Sequence, residues 1–366
     1  MKIGILTSSR ADFGIYLPLL HRLIADSFFE TEIIAFGTHL SDRYGNTINE
    51  ILDNNFEVKH RLKTLAEGDS PEDIALSIGE SIKVFSSFWN TQKFDLVFAL
   101  GDRYEMFAAV VAGTPFNLKF AHIAAGETTL GAIDNSYRHS ISLMSDFLFV
   151  SAHDYQQRAV DIIQNSEKVF NVGALNIDNL IKADLYTLDE FRKTFNIDLD
   201  KPTILSTFHP ETISYHENQE HISNLLGALG ILANKYQIVI TMPNSDTSGL
   251  MIRNEIEKFA SKIRGVFLIE SFGMKGYLSC MKYCSFLLGN TSSGFVEASF
   301  FPKYVINLGD RQKGRIVSPN IYSIPVIKDI ILQTVDIIEH ASPLQNLHIY
   351  GNGDASEKIV SILKQI

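Results

Sequence analysis

Short apolar runs alternate with amphipathic stretches from the first residue onward, the pattern of parallel strands joined by crossover helices. In the first half the strand candidates are 2–7, 32–36, 58–62, 95–100, 120–124, 147–150 and 169–172. Between them, Ile74, Ile78, Ile82, Phe85 and Trp89 recur every three or four residues and predict one buried helix face, with Ser70 as cap and Pro71 at the first turn. A polar stretch, 184–201, has no strand of its own and is the expected domain connection. The alternation then resumes: strand 203–207, helix 217–234, strand 237–241, helix 249–260, strand 266–269, helix 275–283, strand 285–288, helix 295–301 and strand 304–307. The fold class is therefore α/β, with two Rossmann-like, doubly wound domains at 1–183 and 184–350. A last helix, 351–366, is able to pack on either domain. Ligands of open α/β sheets bind beyond the carboxyl ends of the strands, so the active site is expected in the interdomain cleft.

Composition supports this division and narrows the partners. At roughly 150 residues per domain, 366 residues suit two domains. A formal charge of −10 repels phosphate backbones and anionic lipid surfaces, so neither nucleic acid nor a membrane is an expected partner. Local basic pockets for a small anion remain compatible with it, since arginines and helix-start amides outweigh a diffuse field. Cys280 and Cys284, four apart in a helical segment, suit neither a zinc site nor a disulfide and read as buried thiols in a reducing cytoplasm. The apolar start, 1–7, is too short for a signal peptide before Arg10 and Asp12, and the charge-free run 283–296 falls short of the ~18 residues a span needs. A cytoplasmic location is expected.

The residues with chemical potential cluster where strands end. Gly289-Asn290-Thr291-Ser292-Ser293-Gly294 follows a strand, and its small residues allow backbone N–H groups and hydroxyls to hold a phosphate. It is neither a Walker A nor a dinucleotide loop, and an ordinary capped turn has the same composition. Ser8-Ser9-Arg10 follows the first strand, where Arg10 is either a phosphate clamp or a surface charge. Gly101-Asp102-Arg103, Glu127 and the group Asp134, Arg138 and His139 follow successive strands. Neighbouring parallel strands bring Asp102, Glu127 and Asp134 to one edge, as acid–base chemistry needs, although Asp102 or Asp134 alone also suits a helix cap. His39 and His209 occupy similar strand-end positions. No histidine–carboxylate spacing suits a metal, and no serine-hydrolase elbow is present.

Together these segments resemble the hydrolysing UDP-N-acetylglucosamine 2-epimerase family of the sialic acid and legionaminic acid pathways. The matching pieces are Ser9-Arg10-Ala11-Asp12-Phe13-Gly14, Gly37-Thr38-His39-Leu40 with Tyr44-Gly45-Asn46-Thr47, Gly101-Asp102-Arg103, His122 to Glu127, Ile133-Asp134 with Arg138-His139, Phe208-His209-Pro210-Glu211-Thr212, Gly289 to Gly294, and Asn307 to Arg315. The resemblance implies a glycosyltransferase-B-like architecture with UDP bound mainly by the second domain. It implies that UDP leaves C1 as a proton leaves C2, and that water then adds to the 2-acetamidoglucal to release free N-acetylmannosamine. It also implies roles: Asp102 and Asp134 as acid–base carboxylates, His39 and His209 assisting, and Arg10, Ser292, Ser293 and Gly294 on the pyrophosphate. Glu297 falls to the ribose, Arg315 to the phosphates, and Arg103, Arg138 and Gly289 to the remaining substrate contacts. Nonhydrolysing relatives carry Arg-Pro-Glu where this chain has Arg10-Ala11-Asp12, so the hydrolysing branch fits better.

One departure matters. Many members have a carboxylate where this chain has Ala124, with one extra residue before Asp134, and Glu127 is the candidate to take its role. That change leaves open the sister reaction on UDP-2,4-diacetamido-2,4,6-trideoxyglucose. A UDP-sugar glycosyltransferase and a nucleotide-sugar-binding protein without turnover are the other readings. Neither metal nor organic cofactor is expected, because helix starts and arginines neutralise a leaving pyrophosphate. The resemblance suggests a homo-oligomer, a dimer or tetramer.

Overall fold

The apolar runs form two all-parallel sheets. The first contains β1 (Lys2–Thr7), β2 (Glu30–Phe36), β3 (His60–Leu62), β4 (Leu96–Leu100), β5 (Phe120–Ile123), β6 (Phe147–Val150) and β7 (Val169–Asn171) in the order β3-β2-β1-β4-β5-β6-β7. The second contains β8 (Thr203–Thr207), β9 (Gln237–Thr241), β10 (Val266–Ile269), β11 (Phe286–Gly289), β12 (Val305–Leu308) and β13 (Ile321–Ile324) in the order β10-β9-β8-β11-β12-β13. The computed structural model describes residues 1–65, 68, 70–243, 249–345 and 348–366.

The strand order reverses once in each sheet, between β1 and β4 in the first and between β8 and β11 in the second. At such a point the flanking crossover connections diverge to opposite faces and leave a crevice beyond the strand ends. The turns after β1 and β4, with Asp12 and Asp102, flank the first such point, and the turns after β8 and β11, with His209 and Asn290, flank the second. Both sheet faces are covered: along β8, Ile204 packs in one apolar cluster with Leu229, Ile238 and Ile306, while its neighbour Leu205 packs in another with Val239, Cys280 and Leu287. Near-continuous apolar strands are the expected signature of such two-sided burial.

The chain divides into two compact units, Met1–Glu127 with Asp134–Ile181 and Tyr350–Ile366, and Thr128–Ile133 with Lys182–Ile349. The C-terminal helix, Ala355–Leu363, belongs to the first unit. Its Ala355 and Ser356 amides donate to the Asp178 carboxylate at 2.9 and 2.8 Å, a cap supplied from 177 residues away, and Arg22 donates to the Ser356 hydroxyl at 3.0 Å. Thr128–Ile133 joins the second unit, although the residues on either side of it belong to the first.

Local signals explain most of the helices. Ser70 and Asp73 form a reciprocal capping box for the helix Pro71–Thr91, which buries Phe85, Phe88 and Trp89 and leaves Ile74, Ile78 and Ile82 on the flank of that face. The polar stretch after residue 184 carries a further helix, Leu188–Phe195, capped by Thr187 and Glu190. Eight residues are too few for a periodic pattern, yet Phe191 is fully buried against Cys280 and Leu287. Burial pushes the Cys284 thiol up to about 12 and raises Cys280 as well, so both thiols are inert core groups. Among the described residues no helix is long and apolar enough to cross a membrane.

Candidate active site

In the first unit the turn after β1 is built around Asp12. Its carboxylate accepts from the Ser8 amide and hydroxyl at 2.9 and 2.7 Å, while Ser9 caps the helix Arg10–Ala25. Arg10 is the first residue of that helix and is half-buried. His39 lies in the turn after β2, fully buried, with Nε2 2.9 Å from the Thr7 hydroxyl and Nδ1 3.0 Å from that of Thr47. Burial pushes its imidazole down to about 4, so the ring is neutral at physiological pH. Both nitrogens are engaged within the unit.

Asp102 follows β4 and remains 23% exposed at its side chain. Its carboxylate is ion-paired with Arg138, which is itself only 2% exposed. The same guanidinium donates to the Ala124 carbonyl at 2.9 Å and lies 3.7 Å from the Glu127 carboxylate. Glu127 also accepts from the Ser151 hydroxyl at 2.7 Å. Asp134 is the first residue of the helix Asp134–Leu143, so Asp134 and Arg138 share a face one turn apart. Arg103 makes a fork-like pair with Glu105 at 2.8 and 3.1 Å, and Glu105 is fully buried. Burial raises the Glu105 carboxyl above its usual range against the opposing pull of Arg103.

Asp102 and Glu127 thus come together around one buried cation, Arg138. Ala124 adopts a left-handed backbone, φ 63°, which an alanine takes at a cost of about 1 kcal/mol, and its carbonyl is one of the groups Arg138 holds. Ser142 and Ser151 were not legible as site residues, because a lone serine carries no periodic or motif signal.

In the second unit Asn290 is the organising residue. Its fully buried amide accepts from the His209 backbone N–H at 2.7 Å and donates to the His209 carbonyl at 2.8 Å. Its own carbonyl accepts from Gln312, whose side-chain oxygen accepts from Arg315 Nε at 2.6 Å. Three motifs distant in sequence are joined by this amide chain. Gly289 lies against β8 so closely that a Cβ there would be 1.9 Å from the Thr207 carbonyl oxygen. Ser292, Ser293 and Gly294 form a 3-10 turn capped by Thr291; Ser292 is exposed, and the Ser293 hydroxyl pairs with that of half-buried Tyr277.

The expected helix 295–301 is shorter than its composition suggests. Only Glu297–Phe300 is α-helical, opened by half-buried Glu297. A helix of four residues supplies little macrodipole, so the loop offers an anion only its own N–H and hydroxyl groups. The segment 128–133 docks on the neighbouring loop: Leu130 N–H donates to the Lys313 carbonyl at 2.9 Å and Ile133 N–H to the Thr212 hydroxyl at 2.9 Å. Glu211, beside Thr212, accepts from the Asp310 N–H at 2.7 Å. Among the described residues, ligand atoms of Glu211, Glu217 and His221 lie within 4.8 Å of one another. Glu211 is already bonded to Asp310, and His221 faces Glu217 at 3.8 Å, so partners within the protein account for this group.

Over residues 21–364 the chain matches the protein family described as UDP-N-acetylglucosamine 2-epimerase. It is 35% identical over 321 residues to the GDP/UDP-N,N'-diacetylbacillosamine 2-epimerase (hydrolyzing) of Campylobacter jejuni, covering 87% of this chain and 83% of the relative. To the UDP-N,N'-diacetylbacillosamine 2-epimerase (hydrolyzing) of Legionella pneumophila it is 31% identical over 365 residues, covering 100% and 96%. The crystal structure of UDP-GlcNAc 2-epimerase from Neisseria meningitidis bound to UDP-GlcNAc has the same fold, with a TM-score of 0.83, 20% identity and full coverage of both chains.

Proposed function

The chain belongs to the UDP-N-acetylglucosamine 2-epimerase family, and on that premise we propose that it is a hydrolysing 2-epimerase acting on UDP-2,4-diacetamido-2,4,6-trideoxyglucose, that is, UDP-N,N'-diacetylbacillosamine. Two relatives more than 30% identical carry that substrate in their names. The second reading is UDP-GlcNAc as substrate, with N-acetylmannosamine as product, which the motif resemblance favours. The observation that carries the reaction type is the convergence of Asp102 and Glu127 on one buried arginine at the strand ends of the first unit.

Elimination begins when a carboxylate removes the C2 proton. The electron pair of that bond forms the C1=C2 double bond, and the C1–O bond to UDP breaks with its electrons going to the pyrophosphate. Water then adds, its oxygen to C1 and a proton to C2 on the opposite face, which releases the free epimer. These transfers need carboxylates able to exchange protons and a held leaving group. Asp102, Glu127 and Asp134 are the proton-transfer set in our reading. Arg10, Ser292, Ser293, Gly294 and Arg315 hold the pyrophosphate, Gly289 lets their loop approach, Glu297 takes the ribose, and His209 stands by the sugar. Arg138 and Arg103 are assigned to the carboxylates they bind rather than to substrate. His39, engaged by two threonines, is left out of the proton transfers.

A proton NMR time course in D2O with each sugar nucleotide, without acceptor or metal, tests this reading. The expected result is UDP release with a free 2-epimer deuterated at C2, faster from the diacetamido substrate. Faster turnover of UDP-GlcNAc selects the second reading. UDP release without deuterium incorporation points to plain hydrolysis, and binding without turnover to a non-catalytic protein. Asp102→Asn, Glu127→Gln and Asp134→Asn are each expected to lower kcat by about 100-fold or more while UDP affinity holds. Full activity in all three sinks the carboxylate assignment.

A further inference from the structure

We propose that His122 is a positioning residue for Asp102, a buried imidazole that fixes the Gly101 carbonyl and so the backbone from which the Asp102 carboxylate projects. The inference rests on the reading of Asp102 as a proton-transfer group. His122 opens the segment that ends in Glu127, and its two ring nitrogens tie together the elements that present the carboxylates.

The partners settle the tautomer. Nε2 lies 2.8 Å from the Gly101 carbonyl oxygen, and a carbonyl only accepts, so Nε2 carries the proton. Nδ1 then has a lone pair and accepts from the Ser142 hydroxyl, 2.9 Å away. The ring is fully buried, and burial pushes it down to about 4, so it stays neutral in this one form. The charged groups around it are Arg138 on the helix Asp134–Leu143, Asp102 after β4 and Glu127 after β5.

Ser142 lies one turn beyond Arg138 on that helix, and Asp134 one turn before it. One helix face therefore holds Asp102 at two points: Arg138 binds its carboxylate, and Ser142 acting through His122 holds the carbonyl of the preceding residue. Asp134 opens the same helix. The relative placement of two acid–base carboxylates is thus set by a single rigid element, and reactions of this kind lose about 100-fold for a misplacement near 1 Å. A histidine serving packing alone needs no particular tautomer.

The test uses the full-length protein with 15N-labelled histidine, wild type beside His122→Gln, His122→Phe and Ser142→Ala. Nitrogen–proton correlation spectra are expected to show His122 neutral and protonated at Nε2. Phe is expected to lower kcat by about 30- to 100-fold with UDP affinity unchanged, and Gln, which keeps a donor near Nε2, to restore it to within about tenfold of wild type. Ser142→Ala removes the hydrogen bond that favours the neutral ring, so the acid limb of its kcat profile is expected to move to higher pH. A proton on Nδ1, or an imidazolium at neutral pH, overturns the proposal. So does wild-type kcat in His122→Phe, or a parallel loss of kcat, UDP affinity and thermal stability in both the Phe and Ala variants. A wild type inactive on both sugar nucleotides overturns the reading of Asp102 and the positioning role with it, whereas an active wild type with unaffected variants overturns only the latter.

Discussion

At Arg138 a guanidinium is buried against two carboxylates and a carbonyl, so its removal leaves charges facing each other inside the protein. Breaking such a group costs about 3 to 5 kcal/mol when every partner is buried. Asp102 keeps some access to water, which places Arg138→Met near the lower end, about 3 kcal/mol, read as a fall in the urea midpoint. Arg138→Lys is expected to recover part of that stability and little activity, because an ammonium cannot reach carboxylate and carbonyl with the same fork. Glu32 is a second buried acid, held by Lys2 at 3.0 Å, by Lys59, and by His60 at 2.8 Å. Burial pushes its carboxyl up, but the hydrogen bonds from Lys59, His60 and Lys2 outweigh it and bring it down to about 2. A depressed carboxyl stabilises the fold above its ordinary value near 4.5 and loses that contribution as pH falls towards 2. Glu32→Gln is expected to cost about 1 to 3 kcal/mol at pH 7 and to flatten acid unfolding below pH 4.5.

Among the elements, β11 and its loop are the most demanding. Gly289 pairs in register with Thr207, and a Cβ 1.9 Å from that residue's carbonyl oxygen forces the two strands apart. Gly289→Ala is expected to destabilise the second unit by about 3 kcal/mol and to weaken UDP binding more than tenfold, measured by calorimetry. The segment 128–133 makes a similar demand. A Cβ at Gly131 would lie 2.2 Å from the Asp310 carbonyl oxygen, so the segment docks on the 309–315 loop only without a side chain there. It connects Glu127 to Asp134 along the chain. Gly131→Ala is expected to lower kcat and to destabilise the second unit by about 1 to 3 kcal/mol, since the added Cβ meets backbone in a mostly buried connection.

For the whole molecule, His39 and His122 are buried neutral in the first unit, each brought down to about 4 by burial. The unfolded chain binds protons at these rings near pH 6.5 and the folded chain only near 4, so the unfolded state holds more protons in between. Stability therefore falls as pH drops through that window, by on the order of 3 kcal/mol for each ring. Urea midpoints followed from pH 7 to pH 4 are expected to decline with a slope of up to two protons, and His122→Gln is expected to remove one of them.

The alternation of apolar runs and amphipathic stretches by itself determined the fold class. A strand covered on both faces is predominantly apolar, and β1, β6, β8, β9 and β10 coincide with their runs residue for residue. Strand-end positions of Asp102, Glu127 and the Gly289 loop were legible for the same reason, because parallel strands deliver their carboxyl ends to one edge. Not every short segment was legible: Ile321–Ile324 and Leu188–Phe195 carry too little pattern to separate strand or helix from loop. Partners were decided only in three dimensions. Nothing in one dimension shows that Arg138 turns inward to Asp102, that His39 is closed off by Thr7 and Thr47, that Asn290 binds His209, or that residues 128–133 leave the unit on either side of them. Periodicity reports which face of an element is buried, whereas hydrogen-bond partners depend on register between elements far apart in the chain.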